Sequence, residues 1–379
     1  MALIQYLTAV EFDNGALRTL PAALAELRVR RPLVVTDRGL VKAGLVDQVT
    51  KLLPKTHALY ADTPANPTED AVHEAVQTWR QHSCDGVIAF GGGSSIDLAK
   101  GVALLATHPG PLESYALILG GAQRITVAVA PLIAIPTTAG TGSEVGRGAL
   151  LTLRDHRKLG FISPHMIPRR AICDPELTLG LPVLLTAATG MDALTHCIET
   201  YLSPKVNPPA DAIALDGARR AWQWIGQAVV NGSNLEARWH MMMASLQGAM
   251  AFQKGLGAVH SLSHPLGGAS KVSLHHGTLN AVFLPAVLRF NEPCCGDKFA
   301  NLRAAFELPA GASIADAIAS LSARIGLPAN LQQMGVDRAL LPLLIDAALA
   351  DHSTATNPRP LAPADVLDLF EQAFAGSTQ

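Results

Sequence analysis

Gly86-Val87-Ile88-Ala89-Phe90-Gly91-Gly92-Gly93-Ser94-Ser95-Ile96-Asp97-Leu98-Ala99-Lys100 is the stretch that decides the fold. It opens with a short apolar run of the kind a fully buried strand requires, and from Ile96 to Ala106 the pattern turns helical. Three glycines and two serines make the turn between them. Strand, loop and helix in that order start a parallel, helix-covered sheet. Bare glycines let a phosphate approach the backbone, Ser94 and Ser95 can donate hydroxyl hydrogen bonds, and the helix N-terminus adds free N–H groups and a positive dipole end. A plain tight turn would use the same residues, and the loop is neither GxGxxG nor a P-loop.

Outward from this point the first half keeps alternating. Residues 33–36 read as a strand, 40–53 as one amphipathic helix, 68–81 as a helix capped by Thr68, and 132–135 as a strand stopped by Pro136. After Asp174-Pro175 the pattern is almost wholly helical, over roughly 182–203, 209–230, 233–254, 259–266 and 277–290. The expected organisation is therefore an α/β half, 1–180, and an all-α half, 181–379, with a ligand crevice between them. A second loop, Pro136-Thr137-Thr138-Ala139-Gly140-Thr141-Gly142-Ser143-Glu144, also follows a strand. Its hydroxyls suit a ribose or an amide, or they cap a turn. Asp37 ends the first strand, where a carboxylate can accept from an adenosine ribose and repel a 2′-phosphate, or cap the next helix.

Composition narrows the function. Only 16% of the 379 residues are charged, against roughly 25% in an average domain, and the net charge is −2. No basic footprint points to nucleic acid. The longest apolar stretch, 125–135, is too short to span a bilayer, and the N-terminus shows no leader pattern. Five cysteines without CxxC pairs argue against a disulfide framework and fit a reducing cytoplasm. Sparse charge suggests that a second copy covers part of the surface.

Thirteen histidines are distributed unevenly, with six between 196 and 276. Asp192 and His196 are four apart on a helical pattern and share a face, as do His260 and His264, and His276 begins the next helix. An acid inside so apolar a helix requires a partner. One carboxylate with two or three imidazoles forms a site for Fe²⁺, Zn²⁺, Mn²⁺ or Ni²⁺. Each histidine alone also reads as a hydrogen-bonded core residue, and His240 and His275 read as structural.

GGGSSIDLAK (91–100), PTTAGTGSEV (136–145), DPELT (174–178), GMDALTHCIETY (190–201), HSLSHPLGG (260–268) and HHG (275–277) together resemble the iron-containing (group III) alcohol dehydrogenase family over essentially the whole chain. The resemblance implies an α/β N-terminal dinucleotide-binding domain plus an all-α C-terminal metal-binding domain, a dehydroquinate synthase-like architecture. It implies Asp192, His196, His260 and His276 as metal ligands, with Fe²⁺ first and Zn²⁺ second. It assigns Gly92, Gly93, Ser94 and Ser95 to the pyrophosphate, Thr137, Thr138 and Ser143 to the second cofactor loop, and Asp37 to a preference for NAD over NADP. It also implies that His264 lies near the nicotinamide and that Lys158 lines the cleft; these two are the expected catalytic residues. Family members commonly have PHG where this chain has HHG, with a run about two residues shorter, so His275 competes with His276, and Gly277 favours His276. Arg147, just past the second loop, would bind a carboxylate if buried.

The expected activity is NAD-dependent interconversion of a small primary alcohol or hydroxy acid with its aldehyde or semialdehyde, by a cytoplasmic homodimer. Two alternatives act on the same fold: a metal-independent reductase of the maleylacetate type, and an NAD- and metal-dependent synthase or lyase. A non-catalytic NAD- or metal-binding protein is the remaining alternative.

Overall fold

A computed structural model describes residues 8–269, 272 and 274–376, so part of the N-terminal stretch read for a leader lies outside the described residues. The chain divides into two compact units: 6–138 with 142–180, and 181–379 with 139–141.

The first unit runs β1 (Ala9–Phe12), α1 (Leu20–Glu26), β2 (Pro32–Val35), α2 (Arg38–Lys42), α3 (Leu45–Thr50), β3 (Ala58–Tyr60), α4 (Glu69–Gln81), β4 (Gly86–Gly91), α5 (Gly93–Leu105), β5 (Leu132–Pro136), β6 (Gly148–Thr152), β7 (Lys158–Ile162) and β8 (Arg170–Cys173). Six strands pair in the order β1-β8-β5-β4-β2-β3, all parallel. Continuous burial along β2, β4 and β5 follows from helices on both faces. Leu33, Val35, Val87 and Ala89 pack with α4 and α5 on one face. Val34, Ile88, Phe90, Ile133 and Ile135 pack with α1 and α3 on the other.

The chain reaches β3 on one side of β2 and returns to β4 on the other. That reversal is a topological switch point, the place where open parallel sheets leave a crevice beyond their carboxyl ends. Asp37 follows β2, the glycine loop follows β4 and Thr137-Thr138 follow β5, so three of the expected cofactor segments leave the same sheet edge.

One expectation is corrected in this half, and one is extended. The single helix over 40–53 is two short ones, because Gly44 adopts φ +72, a left-handed conformation that stops α2 and starts α3. The antiparallel pair β6–β7, and the strands β1, β3 and β8, add to the strands that the sequence pattern marks.

The second unit holds α6 (Val183–Leu202), α7 (Pro208–Val230), α8 (Leu235–Ala251), α9 (Ala258–Ala269), α10 (His276–Asn291), α11 (Lys298–Ala305), α12 (Ile314–Arg324), α13 (Ile345–Ala350) and α14 (Pro363–Ala375). Every residue of α6 from Thr186 to Leu202 is buried. A helix apolar on all sides becomes the centre of its bundle, and α7, α8 and α10 surround this one. Among the described residues no helix is long and apolar enough to cross a membrane.

Candidate functional site

The helical unit brings Asp192, His196, His260 and His276 together, with one ligand atom from each within 4.8 Å of the others. Asp192 and His196 stand one turn apart on α6, His260 is on α9, and His276 opens α10. Asp192 Oδ1 lies 3.7 Å from Nε2 of both His196 and His276. His275 takes the N-cap position of α10, is exposed, and is not part of the cluster.

Two of the rings are fixed through their other nitrogen. His196 Nδ1–H donates to the Gly140 carbonyl at 3.2 Å. His260 Nδ1–H donates to Glu199 Oε2 at 2.6 Å. Both tautomers leave the Nε2 lone pair facing the cluster. Burial lowers the His196 pKa and drives that of His260 well below the ordinary value, so both imidazoles stay neutral. The Asn280 side chain marks the direction of these lone pairs. Its Nδ2 donates to Asp192 Oδ1 at 2.8 Å and sits 3.1 and 3.3 Å from Nε2 of His276 and His260. The Asn280 Oδ1 is buried without a partner. A carboxylate and three imidazoles converging as acceptors match a divalent cation in charge and in donor type.

Glu199 falls inside the GMDALTHCIETY motif, yet nothing in its local spacing marks it as a site residue. It accepts from the backbone N–H of Val259 (2.7 Å) and Gly257 (3.1 Å) as well as from His260, and burial pushes its pKa up to about 8. A carboxylate behind a metal-binding histidine orients the ring and raises its basicity. Gly277 sets the approach of α10 to α6: a Cβ there would lie 2.2 Å from the Ala188 carbonyl oxygen and 3.1 Å from Asp192 Cβ. His264, one turn beyond His260, stacks on His276 at 5.4 Å and holds Asp351 Oδ2 through Nδ1 at 2.9 Å. Asp351 is a second residue without a sequence signal. His264 and His352 hold its carboxyl below the usual range against the cost of burial.

The remaining expected residues lie in the α/β unit. Gly91 has φ +151, and a Cβ there would meet Ser95 Oγ at 2.5 Å; Ser95 is buried beneath it. Gly92 is the N-cap of α5 and supplies no side-chain cap, so the free N–H groups of the first turn face the carboxyl edge of the sheet. Thr138 stands against Gly92, and Thr137 N–H donates to the Gly91 carbonyl at 3.0 Å, which joins the two loops. Bare glycines beside the free N–H groups of a helix N-terminus are the chemistry a phosphate requires. Three side chains are already engaged there. Ser94 donates to the Ala65 carbonyl, Asp37 caps α2 through Leu40 N–H at 3.0 Å, and Ser143 donates to Asp97 at 2.7 Å. Lys158 on β7 contacts Asn66 Oδ1 at 3.3 Å, and burial lowers its pKa. Arg147 is exposed and does not form the buried fork that would seat a carboxylate.

A family model for iron-containing alcohol dehydrogenase matches residues 8–175, and one for the C-terminal part of the same family matches 186–374. The chain belongs to the iron-containing alcohol dehydrogenase family. It is 54% identical to a 4-hydroxybutyrate dehydrogenase of Cupriavidus necator, over 99% of this chain and 100% of that one. A crystal structure of a 1,3-propanediol oxidoreductase superposes with a TM-score of 0.92 at 36% identity, over 98% of this chain and 100% of that one. A sulfoacetaldehyde reductase from Bifidobacterium kashiwanohense in complex with NAD⁺ superposes with a TM-score of 0.89 at 26% identity, over 98% and 99%. The parallel α/β domain followed by a helical domain is the architecture of these relatives, and this iron-containing alcohol dehydrogenase is an oxidoreductase.

Two substitutions test the geometry around the ligands. Glu199→Gln keeps the shape but replaces the carboxyl acceptor behind His260 with an amide, and it weakens Fe²⁺ or Zn²⁺ affinity by about 10–100-fold, measured by competition with a chromogenic chelator. Gly277→Ala drives a methyl into the α6 backbone. It lowers stability by about 1–3 kcal/mol through overpacking, seen in denaturant melts, and separates His276 from Asp192, so the chelator strips the metal at a lower concentration than from wild type.

Proposed function

We propose that this dehydrogenase oxidises 4-hydroxybutyrate to the corresponding semialdehyde with NAD, and reduces the semialdehyde with NADH, using a divalent metal held by Asp192, His196, His260 and His276. The observation that carries the metal part is the convergence of those four side chains on one point. Identity of 54% to a 4-hydroxybutyrate dehydrogenase supports the substrate. The NAD-bound relative and the three segments at one sheet edge support the cofactor. Fe²⁺ is the assigned metal because of the family, with Zn²⁺ compatible with the same donors.

A divalent cation at these ligands supplies Lewis acidity, which lowers the pKa of an alcohol and polarises a carbonyl. Oxidation removes a hydride from the carbinol carbon to the nicotinamide and the hydroxyl proton to a base. Asp351 fixes His264 with its proton on Nδ1, so His264 Nε2 is the atom that takes the proton and returns it in reduction. Glu199 and the Gly140 carbonyl keep His260 and His196 in the tautomers that bind a cation. Gly92, Gly93 and the start of α5 receive the pyrophosphate, with Ser94, Ser95, Thr137, Thr138 and Ser143 lining or supporting that region. Asp37 disfavours a 2′-phosphate, and Lys158 offers positive charge to an anionic group. Residues 1–180 are thus assigned to NAD and 181–379 to the metal.

Five free cysteines support a reducing cytoplasm. Exposed Ile118, Leu119 and Val127 support a homodimer that covers them.

A 1,3-propanediol reading is favoured by the structural match to the propanediol oxidoreductase. Initial rates of NADH formation separate the two. We expect kcat/KM for 4-hydroxybutyrate to exceed that for 1,3-propanediol by at least about tenfold, the scale set by one well-recognised group, and NAD to be preferred to NADP. Equal or reversed ratios favour the diol. Sustained NADH accumulation rules out a synthase that regenerates its NAD on each turnover.

A further inference from the structure

The motif GGGSSIDLAK contains two charged residues that neither the pyrophosphate nor the metal accounts for. Asp97 and Lys100 lie three apart on one face of α5. The Lys100 side chain is 1% exposed, yet its ammonium makes three hydrogen bonds: to Ser143 Oγ at 2.9 Å, the Gly146 carbonyl at 2.8 Å and the Gly148 carbonyl at 2.7 Å. Asp97 answers from the same face. Its Oδ1 accepts from Ser143 Oγ at 2.7 Å and its Oδ2 from Leu150 N–H at 2.9 Å. Glu144, also buried, is a second carboxyl near Lys100, and burial pushes its pKa up to about 7.

A buried ammonium is costly unless all its protons are bonded, and here every bond goes to one segment, 143–148. The two glycine carbonyls lie before or at the start of β6, where the sheet ladder does not serve them both, so the lysine is the donor that satisfies them. The hydroxyl of Ser143 has a single proton, and Asp97 takes it. The loop that begins with Thr137 and Thr138 is therefore tied, at its far end, to the body of the helix whose first turn faces the phosphate site.

We propose that Asp97, Lys100 and Ser143 form a buried strap that sets the second cofactor loop against α5, and that Ser143 acts on the dinucleotide through this strap rather than by touching it. All three are positioning residues. The inference rests on the assignment of this unit to NAD.

The test is NADH binding to the intact, metal-loaded enzyme, followed by nicotinamide fluorescence, for wild type, Asp97→Asn, Ser143→Ala, Ser143→Thr and the Asp97→Asn/Ser143→Ala double variant. Each single loss is expected to raise the Kd for NADH about tenfold while shifting the KM for the alcohol less than about twofold. Ser143→Thr restores the wild-type Kd. The double variant is no worse than either single one, because both break the same unit. A silent Asp97→Asn, or additive losses, overturns the strap and makes Ser143 a direct contact. If Asp97→Asn does not fold, amide exchange over 143–150 decides the matter: Ser143→Ala speeds exchange there without cofactor if the strap exists, and unchanged exchange overturns it. Failure of the wild-type protein to bind NADH at all overturns the NAD assignment instead.

Discussion

Two carboxylates buried on one helix, Asp192 and Glu199 on α6, are what the helical unit is organised around. Among the described residues, neither has a lysine or arginine as an ion-pair partner. Asp192 is met by Nε2 of His196 and His276 and by the Asn280 amide, Glu199 by two backbone N–H groups and His260 Nδ1. The imidazoles of His196 and His260 are held neutral by burial. Buried carboxylates are strongly unfavourable as anions: burial pushes the Glu199 pKa up to about 8, and a divalent charge, as proposed, would compensate Asp192 at the point where it and the rings converge. The rest follows from bringing four side chains on three helices to that point. α6 must be apolar on all other sides, and α10 must approach its backbone closely enough that only glycine fits at 277.

The α/β unit solves a different problem with similar means. The segments proposed to hold its cofactor are loops, and loops are imprecise unless tied down. The parallel sheet places them by topology, since β2, β4 and β5 end at one edge around the switch point. The buried Lys100 and Asp97 then fix the far end of the Thr137–Glu144 loop. In both units, buried charge specifies a geometry rather than contributing net stability, in line with the general cost of burying ions.

Much of this is legible in the residues. The run into Gly91-Gly92-Gly93 marks a strand, a loop and a helix, and the i, i+4 spacing of Asp192 and His196 places both on one face. The long helices are visible because apolar periodicity accumulates over their length. What escapes is either short or long-range. β1 and β8 have four residues each, and β6 and β7 are a local pair of five-residue strands, too brief for alternation to register. The split of α2 from α3 depends on one glycine adopting positive φ. Glu199 and Asp351 carry no local signal, because their partners are 61 and 87 residues away. Asp37 and Ser143 are expected from the sequence to be cofactor-loop residues, and the bonds they make within their own unit become visible only in three dimensions.

The measurement that bears most directly on the central claim is metal analysis of the purified enzyme, coupled to its rate of NADH formation. Four ligands at one point predict about one divalent ion per chain, loss of turnover in step with its removal by chelator, and recovery when Fe²⁺ or Zn²⁺ is returned. Full turnover in protein shown to be free of metal would contradict it.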